Sequence, residues 1–118
     1  MAGAVSYQAG LAAEAQVAAH YQRSGRGIAA RRWRGSGGEI DLIARDGAGL
    51  IFIEVKKSAS HARAAERLSR RQMDRIYASA SEFLVGEPLG LNTAIRFDVA
   101  LVDAVGRIEI VENAFGLD

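Results

Sequence analysis

The sequence contains no cysteine. That absence excludes a disulfide scaffold, a thiolate zinc site, an iron–sulfur cluster and a cysteine nucleophile. It suits a reducing compartment, and a cytoplasmic location is expected. No apolar run approaches the roughly 20 residues that a membrane span needs, so no membrane partner is expected. The Ala-rich start lacks a basic region and carries Glu14 within it, so it does not read as a signal peptide. His20 and His61 are the only histidines and lack metal-ligand spacing. The serines form no G-x-S-x-G elbow. The glycine clusters match neither the Walker pattern nor the dinucleotide fingerprint. Repeats, low-complexity tracts and linkers are absent as well.

What remains is an ordinary globular composition, 49% apolar and 25% charged over 118 residues. Residues 1–118 are expected to form one domain, long enough to bury about two-thirds of the unfolded surface without staples. The net charge of +1 hides a gradient: residues 1–79 carry +6 and residues 80–118 carry −5. Thirteen of the fifteen basic residues are Arg. The guanidinium fork matches phosphate oxygens, which favours a phosphate-bearing partner; a solvated charged face is the alternative.

Gly-rich breaks at 24–27, 35–38, 46–49 and 86–90 divide the chain. Residues 6–23 read as a helix, with Tyr7, Leu11, Ala18 and Tyr21 on one apolar stripe. Glu14 lies on that stripe, so it either has a partner or reaches solvent at the stripe's edge. Residues 28–34, 39–45 and 50–56 read as strands, the third of them central. Residues 57–68 suggest a loop with a helical turn at 62–68. Ser69 and Gln72 have capping-box spacing at the head of a second helix. Its apolar face is Met73, Ile76, Tyr77, Ala80, Phe83 and Leu84, and Gly86 and Pro88 stop it. Residues 94–102 and 107–112 complete an order α-β-β-β-α-β-β. The fold class is α/β, a mixed central sheet flanked by helices.

The central hairpin carries the chemistry. If the turn at 46–49 closes it, Arg45 faces Leu50 and Asp41 stands opposite Glu54. Glu39 then stands opposite Lys56. Period-two alternation puts these four charged residues on one face, and Ile40, Leu42, Ala44, Ile51, Ile53 and Val55 on the other. Two opposed carboxylates repel unless a cation sits between them or one is protonated, and Lys56 neutralises only one. Oxygen ligands on a rigid backbone suit Mg²⁺ or Mn²⁺. A charge ladder balanced by Lys56 and nearby Arg is the alternative.

Gly38-Glu39-Ile40-Asp41-Leu42-Ile43, then a hairpin, then Phe52-Ile53-Glu54-Val55-Lys56 resembles the PD-(D/E)xK nuclease signature. With Glu14, the Ala-rich second helix and Arg96-Phe97-Asp98-Val99 in order, the chain is similar to the YraN family over nearly its whole length. That resemblance implies a single-domain restriction-endonuclease-like core, close to Holliday-junction resolvases. It departs from the family's usual residues at Arg32, Ser58 and Gln72, which bears on substrate contacts more than on metal binding.

The resemblance implies a Mg²⁺- or Mn²⁺-dependent endonuclease acting on DNA, with branched or junction DNA as the expected form. Asp41, Glu54 and the main-chain carbonyl of Val55 would ligate the metal. Glu14 would complete the set directly or through water. Lys56 would orient the attacking water. Glu39 and Gln72 are expected behind these ligands, Glu39 as a partner of Lys56. Gln72 is expected either as a cap or close to the phosphate. Arg31, Arg32, Arg34, Arg70 and Arg71 lead the expected nucleic-acid contacts. Trp33 is either a base-stacking or a packing residue. A two-fold homodimer fits a junction with two scissile strands. A non-catalytic nucleic-acid-binding module and a protein-interaction subunit docking through the acidic C-terminal part and Phe115 stay open beside the nuclease.

Overall fold

Alanine has the highest helix propensity, and the Ala-rich start forms helix α1, Ala2–Arg23. Gly25 ends it in the left-handed region, at φ 85, where the Arg26 N–H reaches back to the Tyr21 carbonyl at 3.1 Å. Strands β1 (Ile28–Gly35), β2 (Gly38–Asp46) and β3 (Gly49–Lys57) follow. Next come helix α2 (Arg70–Leu84), a single 3-10 turn at Gly90–Asn92, and strands β4 (Ile95–Val102) and β5 (Ile108–Val111). The computed structural model describes residues 2–57 and 70–114, with side chains from Gly10 onward in α1. The expected helical turn at 62–68, the Ser69 cap, His61 and Phe115 lie outside the described residues, as does the Tyr7 side chain.

The five strands lie in chain order, β1 to β5, with β3 in the middle. The β1–β2, β2–β3 and β4–β5 pairs are antiparallel. β3 and β4 run parallel, and α2 lies between them in the chain. The order α-β-β-β-α-β-β is therefore the observed one.

Among the described residues, each sheet face packs against one helix. Ile76, Ala80 and Leu84 of α2 pack with Ile43, Phe52, Phe97 and Val99. Ala13, Val17, Ala18 and Tyr21 of α1 pack with Leu42, Ala44, Ile51 and Ile53. The apolar stripe of α1 thus runs through Ala13 and Val17 as well as Ala18 and Tyr21, while Leu11 is only half-buried.

Arg45 faces Leu50 and Leu42 faces Ile53, the register the hairpin turn implies. Strict alternation nevertheless fails. Ile40 packs on the α2 side with Ile43, whereas Leu42 and Ala44 pack on the α1 side. β1 behaves the same way, because Ala30 and Trp33, three apart, both pack on the α2 side. Trp33 faces Ile40, and Ala30 faces Ile43. Both strands therefore change face over the same short stretch. Arg32 lies in that stretch of β1, and its φ of 50 is left-handed within a strand. The site is built at this break in the pleat.

Candidate functional site

Asp41 sits where β2 changes face. Its Oδ2 accepts a hydrogen bond from the Val55 N–H at 2.8 Å. This bond brings the Val55 main chain beside the carboxylate just beyond the Leu42–Ile53 pair. Glu54, only 8% exposed, meets Asp41 closely enough for the two carboxyls to share a proton. The Glu54 Oε1 accepts from Gln72 Nε2 at 3.2 Å and lies 3.8 Å from Lys56 Nζ. The Glu54 Oε2 is buried with no hydrogen-bond donor among the described residues.

Burial, then the Asp41 charge and the shared proton, push the Glu54 carboxyl up to about 9. Burial also raises Asp41, although the Val55 N–H and the Lys56 charge pull it down. Burial of the two adjacent carboxyls thus favours one proton held by the metal-free pair. Two carboxylates against one ammonium leave one negative charge unbalanced, which a proton or a cation must meet.

A second cluster adjoins the first. Glu14, one turn before Val17 and Ala18 on α1, has its Oε1 4.0 Å from Arg32 Nη1. Arg32 Nε lies 3.5 Å from Glu39 Oε1, and Arg34 Nη2 lies 3.4 Å from Glu39 Oε2. Burial raises the Glu14 pKa, with the Asp41 charge adding to it and Arg32 opposing it.

One expectation needs correcting. Glu39 pairs with Arg32 and Arg34 rather than with Lys56, because the broken pleat carries it toward β1 while Lys56 reaches Glu54. Gln72 contacts Glu54 directly. Arg32, expected among the nucleic-acid contacts, is drawn into ion pairs within the protein.

Arg31, Arg34, Arg70 and Arg71 are exposed. Arg70 lies 4.0 Å from Asp74 one turn along α2. Trp33 packs edge-on against Phe83 at 5.4 Å, so it is a packing residue.

Among the described residues, no three His, Asp or Glu side chains converge on one point as a metal site. Asp41 and Glu54, with the adjoining Val55 main chain, nonetheless fit a divalent ion. Their oxygens are hard ligands, and among the described residues no donor satisfies Glu54 Oε2. Glu14 stands beside this pair as the counter-ion of Arg32.

A cleft of about 340 Å³ opens beside the acids, between Gly37–Glu39 of the β1–β2 turn and Arg71, Gln72, Arg75 and Ile76 of α2. Its width depends on Gly37, where a β-carbon would strike the Arg75 carbonyl and lie 3.0 Å from that of Ala78. The buried Ser79 hydroxyl donates to the Gly38 carbonyl at 2.8 Å, and the Ser36 N–H donates to Glu82 at 2.7 Å. These bonds strap the hairpin to α2. Gln72 lines the cleft and touches Glu54, so the cleft leads to the acid pair.

Sequence reasoning did not single out Ser79 or the internal network around Asp98. Asp98 is fully buried. It accepts from the Tyr21 hydroxyl at 2.7 Å, from Arg96 at 2.8 and 3.0 Å, and from the Asn113 N–H at 3.1 Å. The available signal was a carboxylate between the apolar Phe97 and Val99 in a strand.

Residues 13–102, which span Glu14, both acids, Lys56, Gln72 and Asp98, match Uncharacterised protein family UPF0102. A UPF0102 protein of Cereibacter sphaeroides strain KD131 is 74% identical over 115 residues, covering 98% of each chain. One of Ruegeria pomeroyi is 58% identical over 114 residues, covering 97% of this chain and 93% of its own. One of Dinoroseobacter shibae is 49% identical over 104 residues, covering 88% and 78%. The chain thus belongs to Uncharacterised protein family UPF0102, the YraN family that its motifs resemble.

Proposed function

We propose that this protein is a divalent-metal-dependent endonuclease that hydrolyses DNA phosphodiester bonds, with branched DNA as its substrate class. The observation that carries this reading is the meeting of Asp41 and Glu54 beside Lys56, with Glu54 Oε2 buried and lacking a donor. Asp41, Glu54 and the Val55 carbonyl would hold Mg²⁺ or Mn²⁺. An ion there would supply charge to the phosphoryl oxygen and acidify a water. Lys56, held 3.8 Å from Glu54, would orient the attacking water and face the charge growing on the phosphate. Gln72 fixes the Glu54 carboxyl from the cleft side. Arg71 and Arg75 on the cleft, with exposed Arg31, Arg34 and Arg70, supply sequence-independent contacts to the backbone.

Labelled linear, flapped and four-way DNA, incubated with Mg²⁺ or Mn²⁺, tests the reading. Wild type is expected to cut, and Asp41→Asn and Glu54→Gln are expected to fall to background. Equal cutting by all three proteins overturns the assignment. Salt-sensitive binding without turnover favours a non-catalytic binding module instead.

A further inference from the structure

We infer that Arg32 is a positioning residue that withdraws Glu14 and Glu39 from metal binding, leaving Asp41 and Glu54 as the carboxylate pair that holds a single divalent cation. The inference rests on the metal-dependent reading above and adds how many ions the site takes.

Four carboxylates from α1, β2 and β3 crowd this end of the sheet, and they sort into two sets. Glu14 and Glu39 share the Arg32 guanidinium, at 4.0 and 3.5 Å, and Arg34 adds a second contact to Glu39 at 3.4 Å. Two negative charges there meet two positive ones. Among the described residues, Asp41 and Glu54 have Lys56 as their one cationic neighbour, so within that set one negative charge is left over. The demand for a cation falls on the second set.

The backbone supports the same division. A long side chain seldom enters the left-handed region, yet Arg32 holds φ 50 while its neighbours Arg31 and Trp33 keep their pairing with Leu42 and Ile40. Such conformations persist where the surroundings over-determine them, and they gather at functional sites. Here the backbone turn directs the guanidinium between a helix carboxylate and a strand carboxylate. One organic cation bridges two elements at the position a second metal ion would otherwise fill.

Calorimetric titration with Mn²⁺ alone, without substrate, tests this. Glycine takes positive φ without strain, so Arg32→Gly removes the charge and leaves the chain path intact. Arg32→Gly is expected to bind Mn²⁺ about tenfold tighter or to take up a second equivalent, as two carboxylates lose their counter-ion. Arg32→Lys, which keeps the charge, is expected to resemble wild type. Adding Glu14→Gln to Arg32→Gly is expected to reverse the gain. Unchanged or weaker binding by Arg32→Gly, or a full gain that survives Glu14→Gln, overturns the inference while leaving the metal site standing. If wild type shows no binding that depends on Asp41, both this inference and the metal-dependent reading fall.

Discussion

Glu54 shows how one side chain can be costly to the fold and useful to the site. Its carboxyl is buried against Asp41, and one of its oxygens lacks a donor among the described residues. Its pKa rises from 4.5 to about 9 on folding. The native protein therefore holds this proton more tightly than the unfolded chain. The stability linked to that proton is complete below about pH 4.5 and is lost as pH climbs toward 9. Glu54→Gln, an amide of the same shape, removes the titration. Metal-free Glu54→Gln is expected to be more stable than wild type at pH 8, by on the order of 2 kcal/mol, with little difference at pH 4.5. Urea unfolding in EDTA at both pH values measures it. A pH slope equal to that of wild type contradicts the buried-proton account. Mn²⁺ is expected to stabilise wild type and leave the variant unmoved.

Between elements, Asp98 makes a buried tether. It lies in β4 and gathers Tyr21 from α1, Arg96 from its own strand and the Asn113 N–H after β5. Burial, together with the hydrogen bond to Asp98, raises the Tyr21 pKa far above its ordinary value, so the hydroxyl stays a donor. Tyr21→Phe is expected to destabilise by about 1–2 kcal/mol, leaving Arg96 and the Asn113 N–H to satisfy Asp98. Asp98→Asn is expected to cost more, about 3 kcal/mol, because Arg96 loses its buried carboxylate and keeps the 3.7 Å contact to exposed Glu112. Denaturant midpoints compare the two, and equal losses would show that the tether does not depend on charge.

The elements were legible in the sequence because their signals are local. The period of α2, the alternation in β4 and the Asp46–Gly49 turn each fix a boundary or a register with nearby residues alone. Ile40 was misread because alternation assumes an unbroken pleat, and side-chain identity does not disclose that Arg32 turns left-handed. The partner of Glu39 was missed for the same reason. Ser79 and Asp98 escaped because their partners Gly38 and Tyr21 lie 41 and 77 residues away. The opposition of Asp41 to Glu54 could be read because a short turn sets it.

For the molecule as a whole, the charge gradient has a spatial counterpart. Arg71 and Arg75 line the cleft beside the acids, and exposed Arg31, Arg34 and Arg70 also belong to the basic part of the chain. The carboxylates of the later part include Asp98, Asp103 and Glu112, each facing an Arg of its own region. No helix among the described residues is long and apolar enough to cross a membrane. Arg71→Ala and Arg75→Ala are each expected to weaken DNA binding to a similar degree on unrelated sequences. Each is expected to reduce the slope of log affinity against log salt by about 1. Fluorescence anisotropy at several salt concentrations reads both effects, and a loss confined to one sequence would point to base contacts instead.

Tyr21 and Glu14 are seven residues apart on α1, which is two helical turns, or about 10 Å of stiff rod. The grip of Tyr21 on β4 therefore sets how far the opposite stretch of that rod extends toward Arg32. Loosening the clamp at Asp98 would leave the shaft to its apolar packing, so damage on one flank of the sheet would surface as a misplaced acid on the other.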